Sequence, residues 1–296
     1  MFKNRASFWL AMCVVSALLT LGFACGGGDK GKPEEGGTPE KGTAGPKYTG
    51  AVGSVTGKVA FTGAAPEPKK VDTSADAACG KANPTLSTED TMVKDGKLAN
   101  VFVYIKDGTT ADGKKIGDFT WDTPTSAATL DQNGCHYKPH ILGVMVNQKI
   151  NITNSDPTTH NIHPQPSVNT EWNSSQVAGA APLEKSFNRA EVLVPVKCNQ
   201  HPWMKSYIGV MKHPFFAITK EDGSFEIKGV PAGKYTIAAW HEKPNPKGTE
   251  KTMEVTVAAN GAVTADFTWD AAATAQNNRP GLEVMSAIEF PMLGRH

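Results

Sequence analysis

The residues best placed to do chemistry lie in Cys198-Asn199-Gln200-His201-Pro202-Trp203-Met204, which puts a thiol, an imidazole and a thioether on one short loop after a β-patterned run. A single metal ion can take all three. Cys with His serves zinc, iron and copper sites alike, but a Cys and two His in a plane with a weak axial Met suits a copper ion cycling between Cu(I) and Cu(II). The second His is expected from upstream. His160, in Ser155-Asp156-Pro157-Thr158-Thr159-His160-Asn161-Ile162-His163-Pro164, follows the apolar alternation of Ile150 and Ile152 and so falls at the end of a neighbouring strand.

Two other readings of the same residues stay open. A Cys-x-x-His pair can be half of a zinc site, or a buried thiol beside an unrelated His. No second Cys-x-x-Cys or His-x3-His completes a zinc set, and His160 with His163 is one residue short of the helical i, i+4 spacing, in a stretch where Asp156-Pro157 argues for a turn. His136, His140, His163, His213 and His241 are expected to be hydrogen-bonding or surface residues. A second copper would need His163, His213 and His241 to converge, and the paired His-x-His motifs of multicopper oxidases are absent. Enzymatic chemistry is accordingly not expected, and no catalytic residue is assigned.

His160-Asn161 followed by Cys198-x-x-His201-x-x-Met204 resembles the cupredoxins, with a short loop most like amicyanin or pseudoazurin. The resemblance covers about residues 98 to 211. It implies one type 1 copper held by His160, Cys198, His201 and Met204, with the backbone N–H of Asn161 hydrogen-bonded to the thiolate, a contact that raises the reduction potential. It also implies that the ring edge of His201 reaches the surface in an apolar patch, so that Pro202 and Trp203 flank an electron port. A braced core aromatic is the alternative role for Trp203.

The rest of the chain must position and deliver this loop. Residues 1–25 read as an export signal, with Lys3 and Arg5 ahead of an apolar run and small residues before Cys25. Leu21-Gly22-Phe23-Ala24-Cys25 resembles a bacterial lipobox, implying lipidation of Cys25, although the Leu stands one place early; plain cleavage and an uncleaved anchor stay open. Residues 26–47 are mostly Gly, Pro, Glu, Lys and Thr with no large apolar residue, a flexible tether spanning roughly 25 Å. Together they predict a periplasmic or cell-surface lipoprotein held at a membrane. The balance of 30 basic against 29 acidic residues argues against a nucleic-acid partner.

Alternating runs between turn signals predict an all-β protein. Val55, Val59 and Phe61 share one face, Val101, Val103 and Ile105 another, and the series continues through 141–146, 150–153, 192–196 and 207–211, with Pro195 marking an edge or bulge ahead of Cys198. Segment 168–182 is expected to be irregular and to cover the metal loop. From His213 the chain changes character: Asp222-Gly223-x-Phe225 and Val230-Pro231-Ala232-Gly233-x-Tyr235 resemble the carboxypeptidase regulatory-like domain, which implies a smaller transthyretin-like β-sandwich beside the cupredoxin Greek-key β-sandwich. The family's opening Gly-x-Val-x-Gly-x-Val pattern stands far upstream, at Gly53 to Val59. The expected order is therefore an N-terminal β segment over 48–97, the cupredoxin over 98–211, the regulatory-like domain over 212–270 and a tail over 271–296. Either the cupredoxin is inserted in the sandwich after its first strand, or two domains follow a spare hairpin.

Of five Cys, Cys13 leaves with the signal, Cys25 takes the lipid and Cys198 the metal, so Cys79 and Cys135 are expected to pair in an oxidising exported setting. The function expected is single-electron transfer between unidentified redox proteins. Copper capture or buffering at the envelope, with Met204, Met211 and Met145 favouring Cu(I), is the alternative, and a metal-free adhesion or scaffold protein is a third class.

Overall fold

The computed structural model describes residues 45–243 and 248–271. The export signal with Cys25, most of the tether and the tail beyond 271 lie outside them. The chain is all-β, built from two face-to-face packings of sheets. No helix among the described residues is long and apolar enough to cross a membrane.

The first packing is organised by the eleven-residue strand Val52–Thr62. It runs antiparallel to Ser224–Pro231 and parallel to Ala262–Thr264 and Phe267–Asp270. Its alternate residues Val55, Val59 and Phe61 turn into a core completed by Val101, Val103, Ile105, Ile237 and Trp269. The facing sheet orders Phe216–Ile218, Phe102–Thr110, Gly233–His241 and Thr249–Val257.

The second packing holds the metal-loop residues. One sheet orders Ser174–Gln176, His160–Pro164, Glu191–Lys197, Lys205–Met211 and Ile141–Met145; the other orders Leu183–Lys185, Ile150–Asn154, Ala128–Gln132 and Tyr137–Lys138. Ile152, Ile162, Val194, Val196, Ile208 and Val210 fill the space between them. Pairing a mostly apolar face of each sheet removes both from water, which is the dominant drive for such a sandwich.

Two features depart from the sequence reading. The strand Phe102–Thr110, placed with segment 98–211, hydrogen-bonds to Gly233–His241 and Phe216–Ile218, so hydrogen bonding puts it in the other packing. Both its faces are covered: Val103 and Ile105 enter the first core, while Phe102 and Tyr104 meet Ile141, Leu193, Met211 and Trp240 in a third cluster between the two packings. Gly143 and Gly209, paired across adjacent strands, make room for this contact. A Cβ on Gly209 would lie 2.5 Å from the Phe102 ring and one on Gly143 2.4 Å from Phe216. The two rings stack 5.6 Å apart over the glycines.

Pro195 is likewise not on an edge strand, because Glu191–Lys197 has neighbours on both sides. Its carbonyl accepts from Gln165 N–H just where pairing with His160–Pro164 ends, so its missing donor falls at the end of the ladder. The bulge lies upstream, between Glu191 and Val194, where Leu193 has φ of 62°.

Candidate metal centre

Two elements bring the expected ligands together. His160 opens a strand whose alternation buries Ile162 in the core, and Cys198 directly follows Glu191–Lys197. The loop after Cys198 closes on itself: Met204 N–H donates to the His201 carbonyl at 2.9 Å, and Cys198 N–H to the Met204 carbonyl at 3.3 Å. This short turn returns the chain into Lys205–Met211 and places His201 beside Cys198.

His160 Nδ1 lies 2.8 Å from His201 Nδ1, and Cys198 Sγ lies 3.6 Å from His201 Nδ1. Metal bonds of about 2.0–2.1 Å to nitrogen and 2.3 Å to sulfur sum to more than either separation, so one ion can touch all three atoms. His160, Cys198 and His201 are 0, 2 and 3% exposed, and Met204 is buried in the same core. A soft sulfur with two imidazoles fits copper better than a hard cation.

The sulfur is tied to Asn161 twice, and its Sγ lies 3.3 Å from Asn161 Oδ1. Asn161 N–H points at Cys198 Sγ at 3.5 Å. Burial opposes ionisation of Cys198, but the hydrogen bonds from His160, from Asn161 N–H and from the His201 and Gln200 backbone outweigh it and bring the thiol down to about 6. Burial likewise opposes charge on His160, while Asp156 and the Cys198 sulfur raise its pKa to about 9. Asn161 also ties the two ligand-bearing segments together: its Oδ1 accepts from Asn199 N–H at 2.8 Å, and its Nδ2 donates to Asn173 Oδ1 at 2.8 Å.

Two residues of this centre were not singled out from sequence. Asp156 Oδ2 lies 2.9 Å from His160 Nε2, and Asp76 Oδ2 lies 2.9 Å from His201 Nε2. Asp156 carried one faint signal, its Asp-x3-His spacing to His160 in a stretch read only as a turn. Asp76 carried none towards His201, although Asp76-Ala77-Ala78 has the form of a helix start, and Asp76 does cap the helix Ala77–Ala82.

The remaining assigned residues fall as follows. Cys79 and Cys135 are joined in a disulfide with a Cα–Cα distance of 5.6 Å. The segment expected as an N-terminal β segment over 48–97 contains that helix, whose cap Asp76 meets His201. Segment 168–182 includes the strand Ser174–Gln176, paired with the His160 strand, and Trp172 packs on the same core. The surface edge expected for His201 is not found, because its outward nitrogen faces Asp76. Pro202 is exposed, while Trp203 is half-buried with its ring 5.1 Å from the His201 ring. Among the described residues, no group able to share an ion includes His163, His213 or His241. His163 instead bonds Asn199 and Glu171, and His140 bonds Glu242.

A thiol beside an imidazole backed by a carboxylate is also the pattern of a nucleophilic Cys. Here the sulfur is buried, only 2% exposed.

No family model and no curated protein matches the chain. Solved structures similar to parts of it include cupredoxins. A purple cupredoxin from Nitrosopumilus maritimus is 21% identical over 28% of this chain and 98% of its own, with a TM-score of 0.25. An oxidised amicyanin variant is 21% identical over 30% of this chain and 86% of its own, with a TM-score of 0.27. A copper-containing nitrite reductase from Thermus scotoductus SA-01 is 18% identical over 29% of this chain, with a TM-score of 0.26, and the chain spans 22% of that enzyme.

Proposed function

We propose that the protein binds one copper ion through His160, Cys198 and His201, with Met204 as a weak axial ligand, and carries single electrons. The observation that supports this most is the convergence of both Nδ1 atoms on a buried sulfur that already accepts an N–H from Asn161. A ligand set lying between the preferences of Cu(I) and Cu(II), and held by two strands and a closed loop, needs little rearrangement on redox change. Copper supplies the redox chemistry; the chain supplies a dry, fixed set of donors.

On this reading the partners are redox proteins, no catalytic residue is needed, and the protein works outside the cytoplasm, tethered through Cys25. The Cys79–Cys135 disulfide is what an oxidising compartment would allow. The first packing, resembling a regulatory-like domain, would act as a mount rather than a site.

Protein loaded with Cu(II) should turn intensely blue or purple through charge transfer from Cys198, and Cys198→Ser should abolish the colour. A colourless Cu(II) complex, or zinc displacing copper in a competition assay, would sink the proposal. The enclosure of His201 favours one second reading, copper storage, because a buried ligand lengthens the path for an electron. Reversible cycling of the bound ion by a redox protein separates the two.

A further inference from the structure

The outer nitrogens of both histidines are matched to carboxylates, and each carboxylate is fixed by backbone donors. Asp76 Oδ1 accepts from Ala78 N–H at 2.8 Å and Cys79 N–H at 3.2 Å, leaving Oδ2 for Thr158 Oγ1 and His201 Nε2. Asp156 accepts from Gly134 N–H at 2.6 Å and Cys135 N–H at 2.8 Å and holds His160 Nε2. The donors Cys79 and Cys135 are the two halves of the disulfide, so one covalent bridge joins the two cradles.

A carboxylate can only accept, so the ring nitrogen facing it carries the proton and the other nitrogen keeps its lone pair. With Nε2 protonated and the ring neutral, neither Nδ1 carries a proton, and the two, 2.8 Å apart, leave their lone pairs to a shared ion. The thiolate and two carboxylates also gather three negative charges around a position that would hold one or two positive ones. The extra negative charge favours the higher oxidation state, against the pull of Asn161 N–H on the sulfur.

We propose that Asp76 and Asp156 are positioning residues that hold His201 and His160 as Nε2–H tautomers and bias the bound ion toward Cu(II). The second half rests on the copper reading above; the first does not.

Nitrogen-15 NMR of the metal-free full chain, followed through a pH series to the alkaline plateau where the ring signals stop moving, reads the tautomers directly. The expected result is Nε2–H on His160 and His201, with Asp76→Asn moving the proton on His201 alone. Asn keeps an oxygen for the helix cap, so this variant retains the fold while presenting a donor to Nε2. In Asp76→Asn, Cu(II) affinity should fall roughly 10–100-fold, Cu(I) affinity by less, and the reduction potential should rise.

Nδ1–H tautomers in the wild type would overturn the positioning role, whether or not copper binds. An unchanged ratio of Cu(II) to Cu(I) affinity in Asp76→Asn would overturn the bias. If the tautomers are as expected but the wild type takes up no copper, the copper reading and the bias fall together while the positioning role stands. Asp156→Asn gives the matching readout on His160, and should it fail to fold, the wild-type tautomers decide that residue.

Discussion

Asp76 and His201 stand 125 residues apart in the chain and 2.9 Å apart in the fold. This contact closes the site from above: the nitrogen expected to meet solvent is bonded to the cap of a short helix. On the electron-transfer proposal, electrons would have to pass a neighbouring side chain or the outer hydrogen bonds rather than an open imidazole edge.

Trp203 is the neighbour on which that idea can be tested. Its ring lies against His201 and its Nε1 is buried without a hydrogen-bond partner, as expected of a brace. Trp203→Ala should cost roughly 3 kcal/mol and speed copper removal by a chelator. Unchanged colour, potential and melting with slower electron exchange to a protein partner would instead assign Trp203 to docking.

The disulfide closes a loop with a sequence separation of 56. In the chain-entropy account, that closure stabilises the fold by about 4 kcal/mol. The paired variant Cys79→Ser with Cys135→Ser should lose about that much in denaturant titration and should also bind copper more weakly, since it loosens both carboxylate cradles. Full stability in the variant would show that the helix and loop are held by packing alone.

Gly209→Ala tests how the two packings are joined. The new methyl would press on the Phe102 ring, which is buried on all sides and stacked on Phe216. Overpacking of this kind costs about 1–3 kcal/mol, and the metal loop should keep its colour because the clash is on the far end of the strand. A neutral substitution would mean that the sheets can part without penalty.

His213 sets an acid limit on the metal-free protein. Burial, only partly offset by hydrogen bonds at its own backbone and at Ile105, lowers its pKa to about 4. The unfolded chain titrates near the ordinary value of about 6.5 and so binds more protons between the two, which makes stability fall as pH drops from about 6.5 to about 4. The loss should approach about 3 kcal/mol, and His241, also lowered by burial, adds in the same direction. His213→Asn, which keeps an acceptor for Phe215 N–H, should flatten the profile in urea melts at stepped pH; an unchanged profile would assign the acid limit elsewhere.

Much of the centre was legible because it is local. The spacing Cys198-x-x-His201 lets one tight turn set thiol and imidazole side by side, and period-two alternation identifies Val55 and Val59, or Ile150 and Ile152, as inward residues wherever the strand lies. The pairing of Cys79 with Cys135 followed from counting thiols. Other features depend on which surfaces meet. The run Val101 to Ile105 revealed one apolar face, but Phe102 and Tyr104 are buried because a second packing covers the other, and that is a property of the assembled sheets.

The two carboxylates lie furthest from what the sequence by itself determined. Asp76 and Asp156 look like a helix cap and a turn residue, and each is one. Their bonds to His201 and His160 exist because the disulfide and the strand order carry them there. Residue type settles what an atom can donate or accept; only the path of the chain decides which atom stands about 3 Å from it, and hydrogen bonds weaken beyond that reach.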